Sequence, residues 1–529
     1  MNKLRLFFKH LDYPVSNQGF GLFRILFAIY LLVFLSQVKF FQPLVFNVIT
    51  GITPIIFPAN LFLLIWFTSV VLLLIGFKTK FAALANYICV LLATYIFINR
   101  GFSTFNDDFL RIGSLLLVVF PTHKSLSLDS TLLKLINGVG YPKITSRLYY
   151  VAALFVSLGL IYWSSSLTKL FSPLWLKGLG FWTPAVMPHN KWNDLDLFLN
   201  NQWLMYAVNW ITIVWEFAFI VAPFSKKHIR FWAFSGIIFH LAIAALFPFW
   251  LFCFSPLPFY VLFFYNTNFI KRHAFPAIVY FNAKDKKQLV LSRFITLLNP
   301  KISAYNHDLV NIKYEGKFYA SNWDACKALL SKNNRGKFLW FFLQFKLFKR
   351  LALWIVQDVL VIVPYHSHTA KTRIISRKFK NSLLILSCFL IFLIQSFYCV
   401  RYIVNHHNKK YSTHDLTIKK FFVRNNTKDK STNIQNFPRI FMGITARSLF
   451  LDHSFIGSRV VFAVTYNDTA GKQMWLPFYG PKGYTGLYNS NQMWSLFNKS
   501  VGGGTIPNPF ELEKFLRFWM HKNNVSTRS

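Results

Sequence analysis

The sequence predicts an α-helical polytopic membrane protein of about nine spans, with a small α/β domain on one side and a β-rich C-terminal region on the other. Three observations carry that expectation. Nine apolar runs reach or approach the length of a bilayer-crossing helix. The polar segments between them are basic on one side and neutral on the other. Two long polar regions, 266–380 and 405–529, flank the last run. With 54% hydrophobic and only 14% charged residues, global disorder is excluded.

The runs lie at about 20–38, 59–76, 81–98, 109–121, 148–171, 203–223, 231–249, 251–265 and 382–404. An open chain crosses hydrocarbon only as a helix, because lipid offers the backbone no hydrogen-bond partners. The run at 109–121 is short and counts as a span only if it is buried or its ends are mismatched. The pair at 231–265 reads either as two helices split at Pro248 or as a re-entrant hairpin.

Charge gives an orientation. With the N-terminus inside, the short inner segments 1–19, 77–80, 122–147 and 224–230 carry +10, and the outer loops carry zero. Basic residues are retained on the cytoplasmic side, so the sequence expects the N-terminus and 266–380 inside and the C-terminus outside. The basic first segment is followed by no small-residue cleavage site and reads as a retained anchor. The protein is expected to be a multi-pass integral membrane protein, of a bacterial inner membrane in preference to a eukaryotic endoplasmic reticulum. The net charge of +40 then mainly reflects topology, with anionic lipid at the inner leaflet, and no nucleic-acid-binding motif is present; for the basic outer tail a genomic composition bias and an acidic partner are both open.

Region 266–380 carries a net +16 and reads as α/β. Ala277–Phe281 is strand-like, Gln288–Leu298 helix-like, Val310–Tyr314 and Phe318–Ala320 flank a hairpin turn, and a short helix is expected from Asn322 to Ser331. Phe338–Val363 is apolar and dotted with basic residues, as in a helix lying along the inner membrane face or a re-entrant segment. The tail at 405–529 carries +11, with a hairpin expected from Arg459–Tyr466 and Lys472–Tyr479, and a closing helix near Pro509–His521. The five cysteines form no CxxC and no ligand spacing, and P-loop, HExxH, GxSxG and Rossmann patterns are absent.

Four polar positions within or beside the runs bear on chemistry. Lys169 lies near the outer end of the fifth run. A lysine desolvated among apolar neighbours can accept a proton at neutral pH, whereas one at a membrane face snorkels to the headgroups. His240 lies mid-span and reads as a proton carrier or ligand, or as half of a helix–helix hydrogen bond. Glu216 is the only Glu of the membrane half and is expected to bridge a buried cation such as Arg24 or Arg111. Asp107 follows Asn106 at the start of the fourth run, where either residue suits a helix N-cap.

Ordered local patterns extend this reading. Gly21-Leu22-Phe23-Arg24-Ile25, Asn106-Asp107-Asp108-Phe109-Leu110-Arg111, Ser127-Leu128-Asp129, Tyr162…Lys169-Leu170…Trp175-Leu176…Gly178, Trp215-Glu216 and Phe239-His240-Leu241 follow one another in the first 265 residues. In this the chain resembles the horizontally transferred transmembrane (HTTM) family, which includes the vitamin K-dependent gamma-glutamyl carboxylases. The resemblance implies carboxylase-like membrane chemistry: Lys169 as the base, His240 and Asp107 near it, and a reduced, vitamin K-like quinone or other lipid-soluble substrate. It also implies a tail that presents or binds a secreted polypeptide. Asp107 stands where the carboxylases have a histidine, which departs from their pattern. Residues 277–378 are similar to DCC-type thioredoxin-like thiol–disulfide oxidoreductase domains, carried by Val279-Tyr280-Phe281-Asn282-Ala283 and Tyr314-Glu315-Gly316-Lys317-Phe318-Tyr319. Lys284 and Lys287 occupy the places of the two cysteines, and lysine cannot exchange disulfides, so that domain is expected to be degenerate. The competing class is a non-enzymatic membrane scaffold or assembly factor that keeps the fold.

These readings divide the chain into 1–265 (HTTM-like), 266–380 (thioredoxin-like), 381–404 (ninth helix) and 405–529 (tail). Membrane-impermeant labelling of single cysteines, applied from outside, should therefore modify positions in 405–529 and spare those in 266–380. The reverse pattern would invert the orientation.

Overall fold

The computed structural model describes residues 14–46, 58–99, 106–137, 146–186, 193–224 and 228–264, Asn190, and shorter pieces within 277–319, 382–400, 465–475 and 509–524. The expected segments Gln288–Leu298, Asn322–Ser331 and Phe338–Val363, together with Lys284 and Lys287, fall outside the described residues.

The membrane half is helical. After a two-residue strand β1 (Pro14–Val15), the chain forms α1 (Asn17–Phe40), α2 (Gln42–Phe46), α3 (Ala59–Ile75), α4 (Thr79–Asn99), α5 (Asn106–Val119) and α6 (Leu128–Asn137). Strand β2 (Ser146–Arg147) leads directly into α7 (Leu148–Leu170). Three short helices follow, α8 (Pro173–Leu176), α9 (Trp182–Ala185) and α10 (Asp196–Leu199), before α11 (Gln202–Ala218) and α12 (Ile229–Leu246). Among the described residues, four helices are long and apolar enough to cross a membrane: Asn17–Phe40, Thr79–Phe97, Gln202–Val221 and Ile229–Leu246. Leucine, isoleucine, valine and phenylalanine run around their whole circumference, so both the interior and the outer surface are apolar.

The short run at 109–121 meets the burial condition. Most of α5 is buried, including Asn106, Asp107, Asp108 and Arg111; it packs along α4 and meets α1 where Tyr30 donates to Asn106. The segment after α12 is broken rather than a second full span. It forms α13 (Trp250–Phe254) and α14 (Leu257–Tyr260) with a 3-10 turn to Phe264, and α13 folds back against α12. Pro248 and Pro256 explain the breaks, since each removes a backbone donor and cannot sit in a helix interior.

One end of the bundle is organised by three of the residues singled out by sequence pattern. Arg24 is fully buried, and its guanidinium donates to the carbonyls of Thr122 (2.9 Å) and Leu126 (2.5 Å). Gly21, one turn earlier, lets the same loop approach: a Cβ there would lie 2.4 Å from the Ser125 carbonyl oxygen. Asp129 reaches the start of α4 and accepts from the Lys78 and Thr79 amides, both at 2.8 Å, so it caps that helix from another element. The Gly76 turn between α3 and α4 adopts φ +76°, where glycine is favoured. Burial beside Lys80 and Lys124 pulls the His123 imidazole down to about 4, so it is neutral at pH 7. Strands β1 and β2 pair at this end, Pro14 opposite Arg147.

The other end of α1 receives the C-terminus. Helix α15 (Pro509–Lys522) buries Phe518 and Trp519. Phe518 meets Phe40 edge-on at 5.9 Å, and Lys522 lies 4.5 Å over the Phe40 ring. The tail hairpin pairs Thr465–Asn467 with Gln473–Trp475. In the region after Phe264, Ala277–Phe281 runs parallel to Ile302–Asn306, and Ile312–Tyr314 forms a hairpin with Lys317–Tyr319. The strand at 302–306 is an addition to the sequence reading. Its partner is parallel, which requires a crossover connection between them.

Gly21→Ala should destabilise the protein in detergent by roughly 1–3 kcal/mol, read as a lower unfolding midpoint, because its neighbour is backbone and cannot rotate away. An unchanged midpoint would show that the loop carrying Ser125 yields freely.

Candidate functional site

Helix α7 carries Tyr162, Ser165 and Lys169 three and four residues apart, a spacing that places all three on one face. Small hydroxylated residues around them, Ser164, Ser166 and Thr168, are buried. Two of these hydroxyls return to carbonyls one turn back, Ser164 to Ile161 (3.0 Å) and Thr168 to Ser165 (2.8 Å). Ser166 instead donates across to the Ile213 carbonyl of α11 at 3.0 Å, joining the two helices.

That packing sets Lys169 against Glu216. The Lys169 Nζ lies 2.6 Å from both Glu216 carboxylate oxygens and 2.8 Å from the Ser165 hydroxyl. It also sits 5.0 Å over the Trp175 ring. Both charged side chains are buried, with exposures of 4% and 7%. Glu216 therefore does not bridge Arg24 or Arg111, as the sequence suggested. Arg24 donates through its two terminal nitrogens to loop carbonyls, and Arg111 pairs with Asp108 at 2.5 Å. The snorkelling alternative for Lys169 fails for the same reason. Lys169 lies in the last turn of α7 and turns inward to Glu216, which is roughly 20 Å along α11 from its first residue at 1.5 Å per residue. The described residues between Pro173 and Leu199 pack beside the pair, with Phe181, Ala185 and Leu195 against Met205 and Phe247. The Trp175 carbonyl accepts from Asn209 of α11 (2.5 Å), Phe181 packs on Phe247 (5.2 Å), and Asn193 donates to the Ala245 carbonyl (2.6 Å).

A second polar line runs beside the pair. Tyr162 Oη lies 2.7 Å from His240 Nε2 and 2.6 Å from Tyr260 Oη. His240 and Tyr260 are buried, and His240 Nδ1 has no hydrogen-bond partner among the described residues. Trp215 bridges α11 and α12, donating to Ser235 (3.1 Å) and stacking on Phe239 at 4.3 Å.

Both polar groupings border one cavity of about 420 Å³, whose remaining wall is almost entirely apolar and aromatic. Lys169, Glu216, Tyr162 and His240 all line it. So do Ile211 and Ile238, each 65% exposed, so the cavity reaches the apolar outer surface between α11 and α12. The structure thus brings Lys169 and His240 to one space. Asp107 does not line it: α5 contributes Phe109, while Asp107 is buried near Tyr30 and Asn106, the latter accepting from the Tyr30 hydroxyl. Among the described residues no group of three His, Cys, Asp or Glu converges as a metal site.

Sequence reasoning missed the Lys169–Glu216 partnership, the Trp175 ring over the ammonium and the Tyr260 hydroxyl. The first had a usable signal. Once Arg111 is paired within its own turn by Asp108, the lone Glu of the spans is left for the lone Lys. Fold and site together define a class: a helical protein with membrane-length helices around a buried ion pair and an apolar cavity. No family model, curated protein or solved structure matches the chain.

Breaking a buried pair strands a charge, at a cost of about 3–5 kcal/mol, while replacing both partners with apolar groups is close to neutral. Lys169→Met and Glu216→Leu should each destabilise by that order, and the double variant should recover most of the loss in equilibrium unfolding. Simple additivity would refute the pairing.

Proposed function

We propose that this chain is a multi-pass membrane protein of the HTTM kind with carboxylase-like chemistry, in which Lys169 acts as a base on a quinol-type or other lipid-soluble substrate. The observation that carries this reading is the meeting of Lys169, Glu216 and His240 in the wall of one apolar cavity that reaches the lipid-facing surface. Such a cavity suits an apolar molecule with few polar groups. In the proposed step, the ammonium of Lys169 first passes a proton to Glu216 across their short contact. The free amine then takes the proton of a quinol hydroxyl: the substrate O–H breaks, an N–H forms, and the product is a quinolate beside the restored ammonium. The apolar wall excludes water and strengthens that attraction.

The same proposal covers nine spans, an inner degenerate thioredoxin-like domain in 266–380 and an outer tail, in a bacterial inner membrane. The docking of α15 at the Phe40 end of α1, away from β1, supports opposite sides for the two termini. The parallel pair at 277–281 and 302–306 is compatible with a thioredoxin-like core. A secreted polypeptide as partner of the tail rests on the resemblance alone. The alternative, a scaffold that has kept the fold without the chemistry, is favoured by one observation: Glu216 holds Lys169 through both oxygens, as in a purely structural ion pair.

Turnover of a reduced quinone by the purified protein in lipid decides between them. Wild type should convert it, and Lys169→Ala should be slower by roughly 100-fold or more. Equal rates in both, or none in either, would leave the scaffold.

A further inference from the structure

The cavity lies toward one end of its helices. Its wall takes Tyr162 and Lys169 from the second half of α7, Ile243 and Leu246 from the last turns of α12, and Trp175 and Phe181 from the segment after α7. The outer face of α11 changes its chemistry toward the same end. Trp203, Tyr206 and Trp210 recur three and four residues apart, so they share a face, and all are exposed, Trp203 to 78%. Trp182 of α9 is exposed too, and the exposed Asn200, Asn201 and Gln202 precede the aromatic face. Farther along α11 the large exposed residues are Ile211, Val214 and Phe217, none with a polar side-chain atom. Rings with an apolar body and a single N–H or O–H favour the headgroup boundary, and aliphatic side chains favour hydrocarbon. Trp203 to Trp210 covers about 10 Å of helix, the depth of one such boundary. Ile211, in the cavity wall, therefore falls on its hydrocarbon side. Phe239 stacks on Trp215, one turn of α11 past Ile211, so the neighbouring Ile238 falls on that side as well.

We propose that this aromatic face lies in the headgroup region of one leaflet, the leaflet at the α8–α9 end of the bundle, and that the cavity takes its ligand sideways from that leaflet through a mouth at Ile211 and Ile238. The ligand is a neutral lipid-soluble molecule whose polar end is a hydroxyl or a carbonyl. This rests on the preceding reading for the cavity as the binding site, and not for the proton transfer at Lys169. A molecule using that mouth carries its polar end through hydrocarbon, where a full charge is strongly disfavoured. Inside, the Lys169–Glu216 pair is neutral as a whole and offers no net charge to offset one. Phospholipids and fatty-acid anions are thereby rejected, while an apolar body with one neutral oxygen passes. The charge-based orientation makes this the outer leaflet.

The test uses full-length protein in liposomes and has two arms. Nitroxide labels on Trp203→Cys, Ile211→Cys and Ile238→Cys report depth through their relaxation by oxygen and by a water-soluble nickel chelate. The label at 203 is expected at headgroup level, that at 211 in hydrocarbon on the same side of the bilayer centre, and that at 238 in hydrocarbon. In the second arm 4-methylbenzophenone, neutral and membrane-dissolved, is photolysed with the protein and its adducts are mapped by mass spectrometry. Phe181 and Phe247 line the cavity but are buried, so adducts on them mark entry. These adducts are expected in wild type and lost in the double variant Ile211→Trp/Ile238→Trp. They should persist in Phe231→Trp, which alters an exposed residue of α12 that does not line the cavity. The carboxylate counterpart, 4-benzoylbenzoate, should mark them roughly 100-fold less, the penalty of a charge in hydrocarbon. A label at 211 or 238 in water, a label at 211 beyond the bilayer centre, no adducts in wild type, adducts that survive the double variant, or equal marking by the carboxylate would each overturn the proposal. Lys169→Ala should keep the adducts. Entry without quinone turnover would therefore remove the base and leave this route standing, and turnover with adducts indifferent to the mouth would do the reverse.

Discussion

The Lys169–Glu216 contact is the constraint around which the second half of the helical region is arranged. Two opposite charges at 2.6 Å, both buried, are tolerated among apolar helices only when each satisfies the other. That requirement sets the register of α7 against α11, because the face bearing Tyr162, Ser165 and Lys169 must meet the turn bearing Glu216. Ser166 reinforces the register through the Ile213 carbonyl. Trp175 and the short helices after α7 then close over the ammonium, and their packing against α12 forms the rest of the cavity.

The first half follows a different rule for the same problem. Arg24 is buried as deeply as Lys169, yet its hydrogen bonds go to backbone carbonyls of one loop, and the Asp129 carboxylate acts on it without direct contact. The planar guanidinium spreads its charge over several donors, so neutral oxygens at fixed directions suffice. A compact ammonium gains more from a carboxylate. The result is a difference in place: Arg24 fastens a loop at one end of the bundle, while the lysine pair borders an open cavity.

How far these features are legible in sequence depends on whether they are local. Helix positions follow from long apolar runs, and α1, α3, α4, α7 and α12 begin and end within a few residues of the runs. The tail hairpin and its closing helix were also readable, from alternation and turn residues. The break after Pro248 was open between two readings, since proline predicts an interruption but not the direction taken afterwards. The strand at 302–306 went unrecognised because it is short and its partner lies beyond a crossover. At the site, Lys169 and His240 stood out as polar residues in apolar surroundings. Tyr162 was visible only within the ordered patterns that carry the HTTM resemblance, and Tyr260 looked like one aromatic among many.

By itself, the sequence determined that this protein places several long helices in an apolar environment and that a few charged residues are confined among them. Hydrophobic length and charge are properties of each segment alone, so they survive without coordinates. The tertiary structure decided which of those residues meet. It joined Lys169 to Glu216 instead of leaving Glu216 to an arginine, set Asp107 apart from the cavity, and aligned two tyrosine hydroxyls with His240. The reason is physical: such pairings depend on the rotation and relative height of separate helices. Those are fixed by side-chain packing between segments, which no single segment contains.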